Sequence, residues 1–298
     1  MDKNTENELV KNLIDGVFYV DLERKITLWN RAAERISGYS SAEVVGQCCA
    51  RQMLEYVDSE GRRLCDEDCP LTATMKDGTC REVSVFLHNK KGYRVPVTVR
   101  TTPIKASNGA ITGCIETFAE SYAQSQVLQE LWQTNEVGMT DPLVGVGNER
   151  FCEINLSTRI YEFNTFNVGF GVILLDLDLF KNINTTYGEK IGDDVLIMIA
   201  RTLSGVMRKL DIITRPGNDK FVIIVPNMPA DVLKKVTDRL RILVKNSFFE
   251  SNDAKIAVTA SMGATMVKVG DTPASILGRV HSLADESKAL GRDRVTIG

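Results

Sequence analysis

Two aspartates follow a run of apolar residues in the second half of the chain, where they could support chemistry on a charged substrate. Residues 172–175 predict a buried strand, and Asp176 and Asp178 come directly after it. Open α/β sheets bind ligands at the ends of their strands, and strand alternation places both carboxylates on one side. Such carboxylates could hold a divalent metal that neutralises phosphate groups. A pair standing alone would more often only solvate the strand end.

Two pairs of charged residues have spacings that would bring them together on a helix. Lys288 and Arg292 are four residues apart, and Arg208 and Asp211 are three apart. Residues at these spacings share one helix face. A bare basic pair is usually a solvated face, and an Arg-x-x-Asp sequence usually forms a surface ion pair. A functional role for either pair therefore needs further context.

The composition excludes several classes of partner. The 298 residues include 36 basic and 39 acidic side chains, for a formal net charge of −3. This balance gives no reason to expect nucleic acid or an anionic membrane as a partner. No apolar run approaches the ~18 residues of a membrane-spanning helix, and the polar first residues do not resemble a signal peptide. We therefore expect a cytoplasmic protein that binds neither nucleic acid nor membrane.

The cysteines divide unevenly along a chain long enough for two domains. Six cysteines precede residue 120 and one follows it, namely Cys48, Cys49, Cys65, Cys69, Cys80, Cys114 and Cys152. This odd and diluted set does not suit a disulfide scaffold. A metal centre or a thiol switch stays open, and reduced structural thiols are the favoured interpretation. We expect a first domain at 8–120, a linker helix at 121–140 and a second domain at 141–298.

The apolar pattern predicts different architectures for the two halves. The first half predicts an antiparallel sheet with strands at 16–21, 26–30, 82–88, 94–102 and 111–118, and with helical segments on either side of 38–40. In the linker, Leu128, Leu131 and Asn135 fit a heptad over two turns only, which leaves a coiled coil and a plain amphipathic linker equally open. The second half predicts an α/β or α+β domain. Its expected strands are 172–175, 212–214, 221–225, 255–267 and 293–297, and its expected helices are 195–210, 230–246 and 273–289.

The first half resembles a PAS domain. The resemblance is carried by Ile-Thr-Leu-Trp-Asn-Arg-Ala-Ala-Glu at 26–34, Gly-Tyr-Ser at 38–40, Glu-Val-Val-Gly at 43–46 and His-Asn-Lys-Lys-Gly-Tyr-Arg-Val-Pro-Val at 88–97. It implies the PAS fold, an antiparallel sheet with flanking helices, and a sensory or dimerising module that regulates the second half. The ligand of such a PAS domain stays unknown.

The second half resembles a GGDEF (diguanylate cyclase) domain from Asp141 onward. Motifs in the family's order are Asp-Pro-Leu-Val-Gly-Val-Gly-Asn at 141–148, Asp-Leu-Asp-Leu-Phe-Lys-Asn-Ile-Asn at 176–184, Tyr-Gly-Glu-Lys-Ile-Gly-Asp at 187–193 and Lys-Ala-Leu-Gly-Arg-Asp-Arg-Val at 288–295. The resemblance implies a nucleotidyl cyclase-like fold with a central sheet surrounded by helices. It also implies an activity that joins two GTP molecules into cyclic di-GMP with the help of magnesium.

The same resemblance implies roles for individual residues. It makes Asp176 and Asp219 metal ligands, with Asp219 the remnant of the catalytic signature. It makes Arg208 and Asp211 an inhibitory site that binds cyclic di-GMP. The implied substrate-binding residues, an amide and a carboxylate for guanine and three cations for phosphate, are Asn184, Asp193, Lys181, Lys288 and Arg292.

The signature hairpin departs from the family at two positions. The family has Gly-Gly-Asp/Glu-Glu-Phe, whereas residues 217–221 are Gly-Asn-Asp-Lys-Phe. Lys220 therefore places an ammonium where the family has a metal-binding carboxylate, and one unit charge pair at 4 Å is worth about 4 kcal/mol at an effective dielectric of 20. Asn218 adds a side chain in place of glycine, although Asn tolerates positive φ. We expect weakened magnesium binding and an ammonium that could instead contact a triphosphate.

These features predict a protein of cyclic di-GMP signalling. Its degenerate GGDEF domain is expected to bind GTP or cyclic di-GMP with little or no cyclase activity, under regulation by the PAS domain. The alternative is an active diguanylate cyclase whose metal site is completed by Asp176, Asp178 and Asp219. We expect a homodimer, because PAS modules commonly pair and the linker could continue that pairing, and we leave room for a downstream protein partner.

Overall fold

The chain divides into two compact units, Met1–Tyr122 and Ala123–Gly298. The computed structural model describes residues 10–49, 53–66, 68–121, 138–251 and 254–298. Most of the linker helix expected at 121–140, with its heptad positions Leu128, Leu131 and Asn135, falls on residues 122–137, outside this described part, whereas the described residues 138–140 are not helical. That helix therefore stays a prediction, and the two units are described one at a time.

The first unit contains an antiparallel five-stranded sheet. Its strands are β1 (Gly16–Val20), β2 (Ile26–Trp29), β3 (Arg81–His88), β4 (Arg94–Lys105) and β5 (Ile111–Glu120), in the order β2-β1-β5-β4-β3. The described helices of this unit are α1 (Arg31–Ser37), α2 (Ser41–Val44) and α3 (Pro70–Asp77). This arrangement confirms the predicted antiparallel sheet with flanking helices.

Aromatic side chains from three strands hold the core of the first unit together. The ring centroids of Phe18 and Trp29 are 5.4 Å apart, and that of Phe118 lies 6.3 and 6.0 Å from them. Asn30 begins α1, where its side-chain oxygen accepts hydrogen bonds from the backbone N–H groups of Ala33 and Val17. This cap ties the first helix to β1, because one side chain satisfies donors of both elements.

The second unit contains a mixed five-stranded sheet flanked by helices, which confirms the predicted fold class. Its strands are β6 (Phe170–Leu177), β7 (Ile212–Gly217), β8 (Lys220–Pro226), β11 (Ala260–Met266) and β12 (Val295–Ile297), in the order β12-β11-β6-β8-β7. Only β11 and β12 run parallel within it. Strands β9 (Phe248–Ser251) and β10 (Ala254–Ala257) form a separate pair. The described helices are α4 (Glu149–Phe166), α5 (Phe180–Tyr187), α6 (Glu189–Val206), α7 (Ala230–Lys245) and α8 (Pro273–Ala289).

Strand β6 lies at the centre of this sheet, and every one of its residues is buried. Its even-numbered apolar residues pack with Leu156 of α4 and with Ile276 and Val280 of α8. Because side chains alternate along a strand, Asp176 belongs to the same side of the sheet as α8. The fold thus brings a carboxylate at the end of the central strand next to the last helix.

Several predicted boundaries were wrong. The helix expected to reach residue 210 ends at Val206, because Met207 is extended (φ −76°, ψ 154°), and Leu210 is exposed beyond it. The strand expected at 255–267 is two strands, β10 and β11, in different sheets. Strand β9 and helices α3, α4 and α5 were not predicted.

Candidate functional site

Asp176 lies in a cluster of charges with two lysines. The register of β6 and β8 pairs it with Lys220, and Lys220 Nζ lies 3.5 Å from Asp176 Oδ2. Lys288 Nζ, from α8, lies 2.6 Å from the same oxygen. The Asp176 side chain is only 4% exposed, so water reaches it little and the two lysines are its charged partners. The protein's own ammonium groups therefore surround the carboxylate that a metal would need.

The turn between β7 and β8 places Asp219 at the edge of this cluster. Lys220 Nζ lies 3.9 Å from Asp219 Oδ1. Asn218 takes the left-handed conformation (φ 50°), which Asn adopts more readily than most residues. Its carbonyl accepts hydrogen bonds from Arg215 Nε and Nη2 at 2.9 and 2.7 Å. The hairpin therefore forms despite the side chain at position 218.

Asp178 is committed to contacts within the protein. Its carboxylate accepts hydrogen bonds from the hydroxyls of Thr259 and Ser261 at 2.7 and 2.6 Å. It also accepts the backbone N–H of Asp293 at 3.1 Å. Both carboxylate oxygens are thus occupied by donors, and Asp178 ties the end of β6 to β11 and to the turn before β12.

The described residues do not fit a divalent metal as they are arranged. Among them, no group of three or more His, Cys, Asp and Glu side chains lies together in a way that could hold a metal ion. The acceptors of Asp176 and Asp178 are already used by ammonium groups, hydroxyls and a backbone N–H. A metal would have to displace the lysines first.

The amide predicted to meet guanine has a free acceptor. In the described part of the chain, the buried Asn184 Oδ1 has no hydrogen-bond partner. Asn184 lies on α5, which packs against α6, where Gly192 and the exposed Asp193 follow. A Cβ atom at position 192 would lie 1.8 Å from Asn184 Oδ1. The glycine therefore leaves room for the amide in this orientation.

The three cationic side chains predicted to bind phosphate lie in different secondary structure elements. Lys181 is exposed in the first turn of α5, and Lys288 is in the last turn of α8. Helix α8 ends at Ala289, so Arg292 lies in the turn beyond it, with φ 63°. Lys288 and Arg292 therefore do not share a helix face, because only Lys288 is on the helix. Lys288 reaches Asp176 directly, whereas Arg292 is exposed.

The Asp211 side chain binds the backbone of Arg208. The Arg208 N–H donates to Asp211 Oδ2 at 2.7 Å, which closes a turn after α6. Burial raises the pKa of Asp211, and the Arg208 and Arg239 guanidinium groups oppose that shift. This arrangement leaves the Arg208 guanidinium free of the side-chain ion pair that the spacing by itself would suggest.

Two further arginines of this unit were not recognised in the sequence. Burial, followed by the nearby Arg208, lowers the pKa of Arg239 on α7, and the buried Arg239 Nε has no hydrogen-bond partner within the described residues. Arg215 Nη1 lies 3.0 Å from Asp141 Oδ2, and both side chains are largely buried. Only the tertiary fold brings these residues to their partners, so no local spacing could have indicated them.

The interior of the first unit holds an acidic side chain and several thiols. Glu116 on β5 is 2% exposed and accepts a hydrogen bond from the Tyr56 hydroxyl at 2.7 Å. Burial raises the pKa of Glu116 to about 7, against the effect of that hydrogen bond. All seven cysteines are free. Burial raises the pKa of Cys65 and of Cys114 to about 12, so these thiols stay protonated at neutral pH.

Family models match both units. The diguanylate cyclase GGDEF domain matches residues 138–294, and the PAS fold matches residues 7–119. The fold and the matches define a protein with a PAS domain followed by a GGDEF domain, and the chain belongs to the GGDEF family. No described helix is long and apolar enough to cross a membrane.

Known proteins of this family resemble the chain in different parts. It is 32% identical over 163 residues to the response regulator PleD of Caulobacter vibrioides, a match to 54% of this chain and 36% of PleD. It is 24% identical over 284 residues to the probable diguanylate cyclase DgcE of Escherichia coli, a match to 95% of this chain and 25% of DgcE. The chain thus spans well under half the length of either relative.

A solved structure matches the second unit. The GGDEF domain of DgcB from Caulobacter crescentus, determined in complex with c-di-GMP, superposes with a TM-score of 0.53 at 26% identity. The match covers 55% of this chain and 95% of that domain. The second unit therefore has the GGDEF fold throughout.

Proposed function

We propose that this chain is a protein of cyclic di-GMP signalling whose GGDEF domain binds GTP or cyclic di-GMP and forms little or no cyclic di-GMP. The observation that carries the proposal is the distance of 3.5 Å between Lys220 Nζ and Asp176 Oδ2. A protonated lysine offers no acceptor to a metal. With Lys288 on the same oxygen, the positive charge that a metal would supply is already present.

Retained nucleotide binding is supported by groups that suit guanine and phosphate. Guanine carries an exocyclic amino group that donates hydrogen bonds, and Asn184 Oδ1 is an acceptor without a partner in the described chain. Asp193, on the next helix, is a second acceptor. Lys181, Lys220 and Lys288 could contact the triphosphate as point charges, and the exposed Arg292 could contact it through its guanidinium group. In this proposal, the bound nucleotide acts as a signal and is not converted to product.

Cyclic di-GMP is proposed to bind at Arg208, Asp211 and Arg239. Within the described residues, Asp211 binds the Arg208 backbone and Arg239 Nε has no partner, so both guanidinium groups could donate to phosphate and guanine acceptors. A bound anion would also relieve the repulsion between the two arginines, which contributes to the lowered pKa of Arg239. The DgcB domain solved with c-di-GMP shares this fold, which supports the choice of ligand.

The PAS domain is proposed to regulate this output in a homodimer. Its signal is not assigned. Binding of GTP or cyclic di-GMP would then change the conformation of the GGDEF domain. A downstream protein partner would respond to that change.

The test combines a binding and a product measurement on the full chain. With GTP and Mg²⁺, we expect calorimetry to detect nucleotide binding and chromatography to detect little or no cyclic di-GMP beside an active diguanylate cyclase. Asn184→Ala is the matched variant that should lose GTP binding. Product formation at the rate of the active enzyme would instead establish the alternative, a cyclase with a metal site at Asp176, Asp178 and Asp219.

A further inference from the structure

The turn between α8 and β12 has an unusual backbone. Arg292 and Asp293 both have positive φ, 63° and 45°, and Gly291 before them has φ 111°. Left-handed conformations are costly for residues other than glycine, and Asp tolerates them better than Arg. Contacts from outside the turn must therefore stabilise it.

Helix α7 supplies two of those contacts. Arg241 Nη1 lies 2.6 Å from Asp293 Oδ1, and Lys245 Nζ lies 2.6 Å from Asp293 Oδ2. The Asp293 side chain is 23% exposed, so both oxygens are paired in a partly buried setting. The backbone N–H of Asp293 is held by Asp178 at 3.1 Å. Asp293 is thus fixed through its backbone and through both carboxylate oxygens.

This turn adjoins the candidate nucleotide site. Lys288, one helical turn earlier, contacts Asp176 at 2.6 Å, and Arg292 directly precedes Asp293. An unpaired carboxylate at position 293 would therefore lie next to Arg292 and beside the place proposed for phosphate. It would attract the Arg292 guanidinium and repel the phosphate.

We propose that Arg241 and Lys245 are positioning residues for nucleotide binding, which act by pairing with Asp293 so that Arg292 stays available to phosphate. The proposal rests on the function proposed above, in which Arg292 contacts phosphate. It assigns to α7 a role in the GTP site although α7 carries none of the residues proposed to touch GTP.

The test compares the affinities of full-length variants for GTP and for guanosine. Arg241→Ala with Lys245→Ala should lower GTP affinity about three- to tenfold, within the usual range for coupled neighbours. Guanosine affinity should stay unchanged, because guanosine has no phosphate. Lys234→Ala with Lys235→Ala, two exposed lysines on the same helix, is the control for the loss of two charges. That control should leave GTP affinity close to wild type.

Rescue separates this positioning role from a purely structural one. Adding Asp293→Asn to the Arg241 and Lys245 variant removes the unpaired carboxylate, so GTP affinity should return toward wild type. An unchanged GTP affinity in the double variant, an equal loss for guanosine, or a failure of Asp293→Asn to rescue would overturn the proposal. Wild-type protein that does not bind GTP would instead overturn the GTP-binding part of the proposed function, on which this inference rests.

Discussion

Asp176 Oδ2 forms ion pairs with two lysine ammonium groups, Lys220 at 3.5 Å and Lys288 at 2.6 Å. The carboxylate is buried while each ammonium is about one-third exposed, so solvent screens the lysines more than it screens the aspartate. A divalent cation would have to compete with both ammonium groups. A triphosphate, in contrast, would meet positive charge directly. We therefore propose that the residue type at position 220 decides which ion the site prefers.

Lys220→Glu should raise the affinity for Mg²⁺ by tenfold or more, an order-of-magnitude expectation for a change of two charge units at a few ångströms. It also supplies carboxylate oxygens, which Mg²⁺ prefers. Turnover should recover less than metal binding, because Asn218 remains. Calorimetric titration of Mg²⁺ in the presence of GTP measures the first effect, and chromatography of products measures the second. Lys234→Glu is the control with the same change of charge on an exposed part of α7, and equal Mg²⁺ affinity in both variants would contradict this expectation.

Arg208→Ala should weaken cyclic di-GMP binding about ten- to a hundredfold, because each charge-assisted hydrogen bond contributes roughly 1.5 to 3 kcal/mol. GTP binding should stay nearly intact, since the proposed GTP contacts lie elsewhere. Calorimetry with both ligands tests this selectivity. Unchanged cyclic di-GMP affinity would mean that Arg208 is only a surface residue, and equal loss of both ligands would point to misfolding.

Packing between neighbouring helices fixes the geometry of the proposed guanine site. Helices α5 and α6 meet where Gly192 faces Asn184, and this contact exists only because position 192 carries no side chain. The site therefore depends on how the two helices approach each other, and not only on the residues that would touch the base.

Gly192→Ala should lower GTP affinity by roughly tenfold, comparable with one hydrogen bond to a charged or strongly polar group, because the new methyl group displaces the Asn184 side chain. Gly278→Ala is the matched control, since a Cβ atom there has no atom within 4 Å. It should leave GTP affinity unchanged and stabilise α8 by about 0.5–1 kcal/mol. Calorimetry and thermal unfolding separate the two outcomes. Retained GTP affinity in Gly192→Ala would remove Asn184 from the proposed site.

Glu116 on β5 should make the stability of the first unit depend on pH. The pKa of Glu116 is about 7 in the folded unit and 4.5 for an ordinary glutamate. Between these values the folded form keeps a proton that the unfolded form has released, so stability falls as pH rises and levels off above 7. The total loss should be about 3 kcal/mol. Urea unfolding between pH 4.5 and 8 measures it.

Glu116→Gln should abolish this slope, because glutamine does not titrate. Glu82→Gln is the control on the adjacent part of the sheet, where Glu82 is exposed and paired with Arg100. It should keep the slope of the wild type. A wild-type unit whose stability rises between pH 5 and 7 would contradict the assignment to Glu116.

The elements differ in how far the sequence could predict them. Strand β6 was predictable because its apolar run is continuous, and α8 because its apolar residues keep a helical period. Helix α3 was missed because only a few apolar residues of Pro70–Asp77 face the core. The pairing of Lys220 with Asp176 depends on the register of β6 and β8, and the hydrogen bonds of Asp178 depend on the register of β6 and β11. The spacing of residues along the sequence does not indicate these strand registers.

For the whole molecule, we predict a homodimer. PAS modules commonly pair, and the heptad positions in 121–140 could extend that pairing. Light scattering at tens of micromolar, an order-of-magnitude working concentration, should give twice the mass of the 33.0 kDa chain. Leu128→Lys with Leu131→Lys should shift the protein toward monomer, whereas Gln129→Lys should not. A wild-type monomer at this concentration would exclude the dimer.

The contacts of Asp178 also influence the order in which parts of the domain fold. This side chain holds Thr259, Ser261 and Asp293, which are 81, 83 and 115 residues away along the chain. Contacts between distant segments require long loops to close and so tend to form late in folding. During synthesis, helices α4 to α6 can form long before residue 293 exists. The proposed nucleotide site should therefore be assembled last, after most of the domain around it has been made.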